Sequence, residues 1–293
     1  FLFFRINENK VEEFFDSKAK SFEDVLGLLK LGENIFAVHT NGDILKLNTR
    51  TRKQTLTRNP EPGLLFNTAG IDKFQHILLG SIGGSLTEFN PQTSSYSASA
   101  LTKMNERLVA VNSIFYDSTK NVLLLSTYGQ GLFVYDYASN TLQQYKKNEG
   151  RLSISANYLL KVFADPNGYV YIGYDGSGFD ILDPHIRKFV PVIRKDSDDT
   201  KTIRFVRKIV EDDDGNLLIG TAGSGLVRYI PSTQTFQFFT FRNELNISEN
   251  YIIEMIRYGN TLWLGFNGNG IAIVDLKTLK KKRLISIGSG VNQ

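Results

Sequence analysis

The chain has 293 residues, 41% of them hydrophobic, and a formal net charge of +4. That apolar content is enough for a sizeable core, and the small charge does not mark a nucleic-acid or membrane-surface partner. The absence of cysteine excludes disulfides and thiolate metal sites without deciding the compartment, and no apolar run is long enough to cross a bilayer as a helix.

Read from its start, the chain opens with Phe3-Phe4-Arg5-Ile6, which looks like the second half of a repeat. Lys10-Val11-Glu12-Glu13-Phe14 follows and fits an outer strand better than a short helix. A short phrase then recurs: Ile35-Phe36-Ala37-Val38 with Ile44-Leu45-Lys46-Leu47, Ile77-Leu78-Leu79-Gly80 with Leu86-Thr87-Glu88-Phe89, and Val122-Leu123-Leu124-Leu125 with Gly131-Leu132-Phe133-Val134. It returns as Val170-Tyr171-Ile172-Gly173 with Gly178-Phe179-Asp180-Ile181, Leu217-Leu218-Ile219-Gly220 with Gly225-Leu226-Val227-Arg228, and Leu262-Trp263-Leu264-Gly265 with Gly270-Ile271-Ala272-Ile273. Successive markers Phe3, Ile44, Leu86, Leu132, Phe179, Leu226 and Ile271 are separated by 41, 42, 46, 47, 47 and 45 residues.

Each unit reads as four strands. A first strand such as Phe205–Val210 reaches the turn Asp212-Asp213-Asp214-Gly215-Asn216, whose Gly, Asp and Asn suit left-handed turn geometry. An apolar second strand, a Gly-rich corner, a third strand, a turn such as Asn90-Pro91-Gln92-Thr93 and an alternating fourth strand follow. An apolar second strand must be covered on both faces, so such meanders stack radially. The expectation is an all-β, seven-bladed β-propeller of four-stranded antiparallel blades, incomplete at the blade joining the two ends. Residues 1–293 would form this single domain as an excerpt of a longer chain.

Chemical candidates are sparse. His39, His76 and His185 fall on different blades and on both sides, so they read as isolated surface histidines rather than a metal site, and no cofactor or metal is expected. Nor does any serine stand out as the activated nucleophile of a Ser-His-Asp triad. The run from Asp212 lacks a Glu at its twelfth position, as a calcium loop would need. Gly220, Gly223 and Gly225 precede no helix and no Lys-Ser or Lys-Thr pair, so they read as corners rather than a phosphate cradle. Asn246-Ile247-Ser248 matches a glycosylation acceptor, and the basic cluster Lys277, Lys280, Lys281, Lys282 and Arg283 reads as a solvated edge strand, with no nucleic acid bound.

The corner side, between second and third strands, varies most between repeats. Its candidate ligand-binding residues are His39, Asn41, Tyr128, Gln130, Asn157, Tyr174, Asp175, Asn250, Asn267 and Asn269. Aromatic rings beside amides and carboxylates suit a carbohydrate, because C–H faces stack on rings while polar groups bind hydroxyls. Alternatives are a protein-interaction scaffold and a propeller lyase or glycosidase. The last would need two facing carboxylates, for which Asp175 and Asp180 are the nearest pair.

Ile209-Val210-Glu211-Asp212-Asp213-Asp214-Gly215-Asn216-Leu217-Leu218-Ile219-Gly220-Thr221, followed by Gly223-Ser224-Gly225-Leu226-Val227-Arg228-Tyr229, resembles the regulator-propeller repeat of hybrid two-component sensors from gut Bacteroidetes. The usual Trp stands at Trp263 and is replaced by Leu218 here. The resemblance implies an extracytoplasmic (periplasmic) sensor region with a second propeller and a β-sandwich. A membrane helix, kinase, receiver and DNA-binding domains would lie in further segments. It also implies oligosaccharide ligands, control of glycan-utilisation genes, homodimerisation, and no enzymatic activity in this portion.

Overall fold

Apolar and polar residues alternate between turns bearing Gly, Asn and Asp, and the chain accordingly forms twenty-six strands and one five-residue helix among its described residues. The structure is a computed structural model. It describes residues 2–5, 10–13, 25–81, 83, 86–105, 108, 110–148, 153–183, 188–192, 203, 205–241, 250–267 and 270–285. The chain divides into two compact units, Phe1–Asn67 and Thr68–Gln293.

The first unit holds a hairpin of β1 (Leu2–Arg5) and β2 (Lys10–Glu13), and one blade. That blade, blade 1, is β3 (Val25–Leu31), β4 (Asn34–His39), β5 (Ile44–Asn48) and β6 (Gln54–Thr57). Phe36, Val38, Ile44 and Leu47 are among its buried side chains.

The second unit carries the remaining blades. Blade 2, beginning at the division, is β7 (Phe66–Ile71), β8 (Ile77–Ser81), β9 (Leu86–Asn90) and β10 (Ser95–Ala98); the helix α1 (Ala100–Met104) follows. Blade 3 is β11 (Val111–Asp117), β12 (Val122–Thr127), β13 (Leu132–Asp136) and β14 (Thr141–Tyr145), and blade 4 is β15 (Leu159–Ala164), β16 (Val170–Tyr174), β17 (Phe179–Asp183) and β18 (Lys188–Pro191). Blade 5 is β19 (Val206–Glu211), β20 (Leu217–Thr221), β21 (Leu226–Ile230) and β22 (Thr235–Phe239), and blade 6 is β23 (Ile252–Tyr258), β24 (Thr261–Phe266), β25 (Gly270–Asp275) and β26 (Lys281–Ile285).

The expected seven blades are therefore corrected to six four-stranded antiparallel propeller blades. The seventh repeat contributes only the β1–β2 pair, with no first and second strands paired to it among the described residues.

The repeated phrase has a packing cause. β8, β16 and β20 are buried at every residue. Their glycines lie against the next blade: a Cβ at Gly173 would sit 2.6 Å from Val206 Cβ, and one at Gly80 would sit 2.6 Å from the Val111 carbonyl oxygen. A side chain there would force neighbouring blades apart. Leu218 and Leu226 of blade 5 pack into a cluster with Ile252, Met255, Leu262 and Leu264 of blade 6.

Turns repeat as well. An Asp ending the first strand, or just after it, accepts backbone N–H groups across the hairpin: Asp72 from Phe74 and His76, Asp117 from Thr119 and Lys120, Asp165 from Tyr169, and Asp212 from Asp214 and Asn216. These are side-chain turns that satisfy orphan donors. The first strands share a register shift at one position, between Val111 and Ser113, Leu159 and Lys161, Val206 and Lys208, and Ile252 and Glu254. Such a bulge re-aims the residues around it.

Candidate functional site

The sequence Thr-x-Gly-x-Gly builds the corners of blades 3 and 5. Thr127 Oγ1 donates to the Gly131 carbonyl at 2.7 Å, and Thr221 Oγ1 donates to the Gly225 carbonyl at 2.8 Å. Gly131 and Gly225 take φ of 81° and 73°, left-handed values that favour glycine. The corner amides then turn to the next blade. Gly129 and Gly131 N–H both donate to the Asn157 carbonyl, at 2.9 and 3.1 Å, and Gly223 and Gly225 N–H do the same to Asn250, at 3.1 and 3.0 Å.

The x residue of each corner is left on a continuous ribbon. Tyr128 N–H donates to Ala110, and Tyr128 bridges Tyr158; Asp175 N–H donates to Tyr158, and Asp175 bridges Phe205. Ala222 N–H donates to Phe205 and Ala222 bridges Tyr251, whose carbonyl accepts from Asn267 N–H. Tyr128, Tyr158 and Phe205 are 48%, 52% and 38% exposed, so the ribbon carries a row of solvent-facing rings.

Side chains knit that row. Tyr128 Oη donates to Asp175 Oδ2 at 2.7 Å, and the Tyr128 and Tyr158 rings meet edge-on with centroids 5.0 Å apart. The bond to Asp175 pushes the Tyr128 hydroxyl above its ordinary value, so it remains a neutral donor. Arg207 donates to Tyr251 Oη at 2.6 Å and lies 5.5 Å from that ring's centroid. Three residues beyond Tyr158, Phe205 and Tyr251 come Lys161, Lys208 and Glu254, on the bulged first strands. Lys208 Nζ lies 2.6 Å from Glu254 Oε1, while desolvation, then the Lys208 charge, pushes Lys161 down to about 8.

The candidate residues separate into groups. Tyr128 and Asp175 are brought together on the ribbon, and Asn267 ends it, exposed. Asn157 and Asn250 are at the joints between blades, where their carbonyls hold the corners; Asn157 Oδ1 also accepts from Lys147 N–H at 2.8 Å. Gln130 is half-buried beside them, with its carbonyl accepting from Gln144. Tyr174 is fully buried and donates to Asp180 at 2.5 Å. His39 and Asn41 belong to the first unit: His39 is 3% exposed, and Asn41 is folded back on Asp43. Asn269, His185 and Asn246-Ile247-Ser248 lie outside the described residues.

Two readings need correction. His39 is buried rather than a surface histidine, and His76 has Nδ1 2.7 Å from Glu88 Oε1 rather than standing alone. Asp180 is 1% exposed and accepts from Tyr174 Oη, Ser155 N–H and Ser155 Oγ. Those donors hold it as a structural carboxylate, which removes the partner that Asp175 would need in a two-carboxylate hydrolase. Phe205, Arg207, Lys161, Lys208 and Glu254 are the residues that sequence reading missed. Aligning first strands on Tyr158 and Tyr251 would have exposed them, because all share the ribbon's register.

Comparison with known proteins identifies the fold. No family model matches the chain, and no curated protein matches it. Among solved structures, the extracellular domain of a hybrid two-component system of Bacteroides thetaiotaomicron superposes with a TM-score of 0.69 at 18% identity, over 92% of this chain and 37% of the other. A Bacteroides thetaiotaomicron structural-genomics protein gives a TM-score of 0.55 at 12% identity, over 86% of this chain and 69% of that one. The designed protein Ika8 gives 0.57 at 9% identity, over 88% and 73%. This chain thus shares the fold of that extracellular domain and spans 37% of its length. Among the described residues, no helix is long and apolar enough to cross a membrane.

Proposed function

We propose that this chain is a ligand-sensing propeller from the extracytoplasmic, periplasmic part of a hybrid two-component system. On this reading it recognises an oligosaccharide on the corner ribbon of blades 3 to 6 and thereby controls genes for glycan use. The observation that carries the proposal is the exposed row Tyr128–Tyr158–Phe205 with Asp175 bonded into it. Rings of this kind stack on sugar C–H faces, while Asp175 and Asn267 offer acceptors and donors for hydroxyls. The sensor fold of the structural neighbour supports the same reading.

The remaining sensor region, a second propeller and a β-sandwich of the same polypeptide, would share the signal in a homodimer. Signalling follows from differential affinity: the sugar must favour one arrangement of the sensor, because equal binding to both would shift nothing. Calorimetric titration of an oligosaccharide panel, neutral and acidic, tests the proposal. We expect one glycan class to bind, with more than about tenfold weaker binding to Tyr128→Ala or Tyr158→Ala. Silence across every class, with a protein partner captured on the same ribbon, would favour a scaffold instead.

A further inference from the structure

Blade 2 differs from blade 5 at one polar cluster, and the difference is chemical. In blade 5, Asp212 Oδ1 accepts the turn N–H groups of Asp214 and Asn216. Its Oδ2 accepts from Asn216 Nδ2 at 3.0 Å and lies 3.4 Å from Arg228 Nε. The carboxylate is neutralised by a fixed cation.

The equivalent residues of blade 2 are Asp72, His76 and Glu88. Asp72 Oδ1 again accepts the turn N–H groups, from Phe74 at 2.9 Å and His76 at 2.7 Å. Glu88, however, stands where Arg228 stands, and His76 replaces Asn216. Two carboxylates thus face one imidazole where blade 5 has one carboxylate and one guanidinium.

We infer that Asp72, His76 and Glu88 form a binding site for a divalent first-row metal ion. One ligand atom from each lies within 4.8 Å of the others. His76 Nδ1 is 2.7 Å from Glu88 Oε1 and 3.9 Å from Asp72 Oδ2. Donors around a four-coordinate ion stand about 3.4 Å apart, so small side-chain rotations complete the geometry. Two further observations point the cluster at a ligand. Asp72 is 6% exposed, and both of its turn bonds use Oδ1, leaving Oδ2 turned toward His76. His76 Nδ1 is itself buried and, despite its ion-pair distance to Glu88, makes no hydrogen bond of acceptable geometry among the described residues.

The surroundings suit a cation. Phe74 stands over the imidazole at 6.0 Å between centroids, and the nearby Lys73 ammonium is directed to the Phe74 and Tyr137 rings, 5.9 and 5.4 Å from their centroids. Imidazole with two carboxylates and no thiolate selects zinc, cobalt or manganese over the all-oxygen preference of calcium. Water would complete the shell, and the ion would tie the first hairpin of the blade to its third strand.

The test is Zn²⁺ titration of the chelator-stripped 293-residue chain, followed by calorimetry and by Co²⁺ visible absorption. We expect one equivalent bound at blade 2, raised thermal stability, and affinity weakened by more than about tenfold in Glu88→Gln. The double variant His76→Asn/Glu88→Arg installs the blade 5 arrangement, and circular dichroism should show it folded. It should take up no metal. Failure of the wild-type chain to bind Zn²⁺ at millimolar concentration would overturn the inference. Unchanged affinity in the folded double variant would overturn it equally.

Discussion

Tyr174 and Lys161, both in blade 4, face burial from opposite chemistry. Burial and the adjacent Asp180 charge push the Tyr174 hydroxyl far up, so it stays a neutral donor to a buried carboxylate. Tyr174→Phe removes that donor from a charged acceptor and should cost about 1.5–3 kcal/mol, read as a lower urea midpoint. Lys161 is depressed from 10.5 to about 8, because desolvation and Lys208 outweigh Glu254. Between those values the unfolded chain keeps a proton that the folded chain has released, so stability rises with pH across that window. The slope is at most about 1.4 kcal/mol per pH unit. Urea unfolding at pH 8 and 9.5 should show the rise in the wild type and not in Lys161→Met. Equal slopes in both proteins would show that Lys161 does not set this pH dependence.

At the scale of the element, the second-strand glycines are the sharpest commitment. Alanine at Gly173 would meet Val206 Cβ at 2.6 Å, a branched carbon fixed to a neighbouring strand, whereas at Gly220 it meets Ile252 Cγ2 at 2.9 Å and Met255 Sδ at 3.0 Å, which can swing aside. Gly173→Ala should therefore lower stability by about 1–3 kcal/mol, and by more than Gly220→Ala. Val206→Ala keeps that Cβ but removes Cγ1, which lies equally close at 2.6 Å, so it should recover part of the Gly173→Ala loss but not of the Gly220→Ala loss, as a double-mutant cycle by chemical denaturation would show. Much of this was legible beforehand. The Leu-Ile-Gly phrase, the Asp-bearing hairpins and the strand at Lys10–Glu13 carry local chemistry that names its own geometry. Less legible was Leu279, which takes φ of 56° after Asp275 caps its turn. Nothing in a leucine announces a left-handed backbone. The roles of Asn157 and Asn250 were hidden too, since it is their carbonyls, which every residue has, that hold the corners.

For the whole molecule, periodicity gave the blade type but overcounted the blades. Phe3-Phe4-Arg5 matches the repeat phrase, yet a half-phrase supplies one hairpin, β1–β2, and not a four-stranded sheet. The candidate site was only partly legible for a related reason. Tyr128 and Asp175 were visible as variable corner residues, but their meeting at 2.7 Å joins residues 47 apart and depends on the pitch between blades. Buried Tyr174 looked equivalent to them in sequence because a strand's last residue and a corner's first differ by one position. On the proposed function, recognition belongs to the corner ribbon rather than to the hairpin turns opposite it. The most direct test is the affinity of the titrated oligosaccharide for Tyr158→Ala beside Thr233→Ala, which alters an exposed turn of blade 5. Binding should weaken by more than about tenfold for Tyr158→Ala and not at all for Thr233→Ala; undiminished binding to Tyr158→Ala, or equal loss in both, would rule the ribbon out.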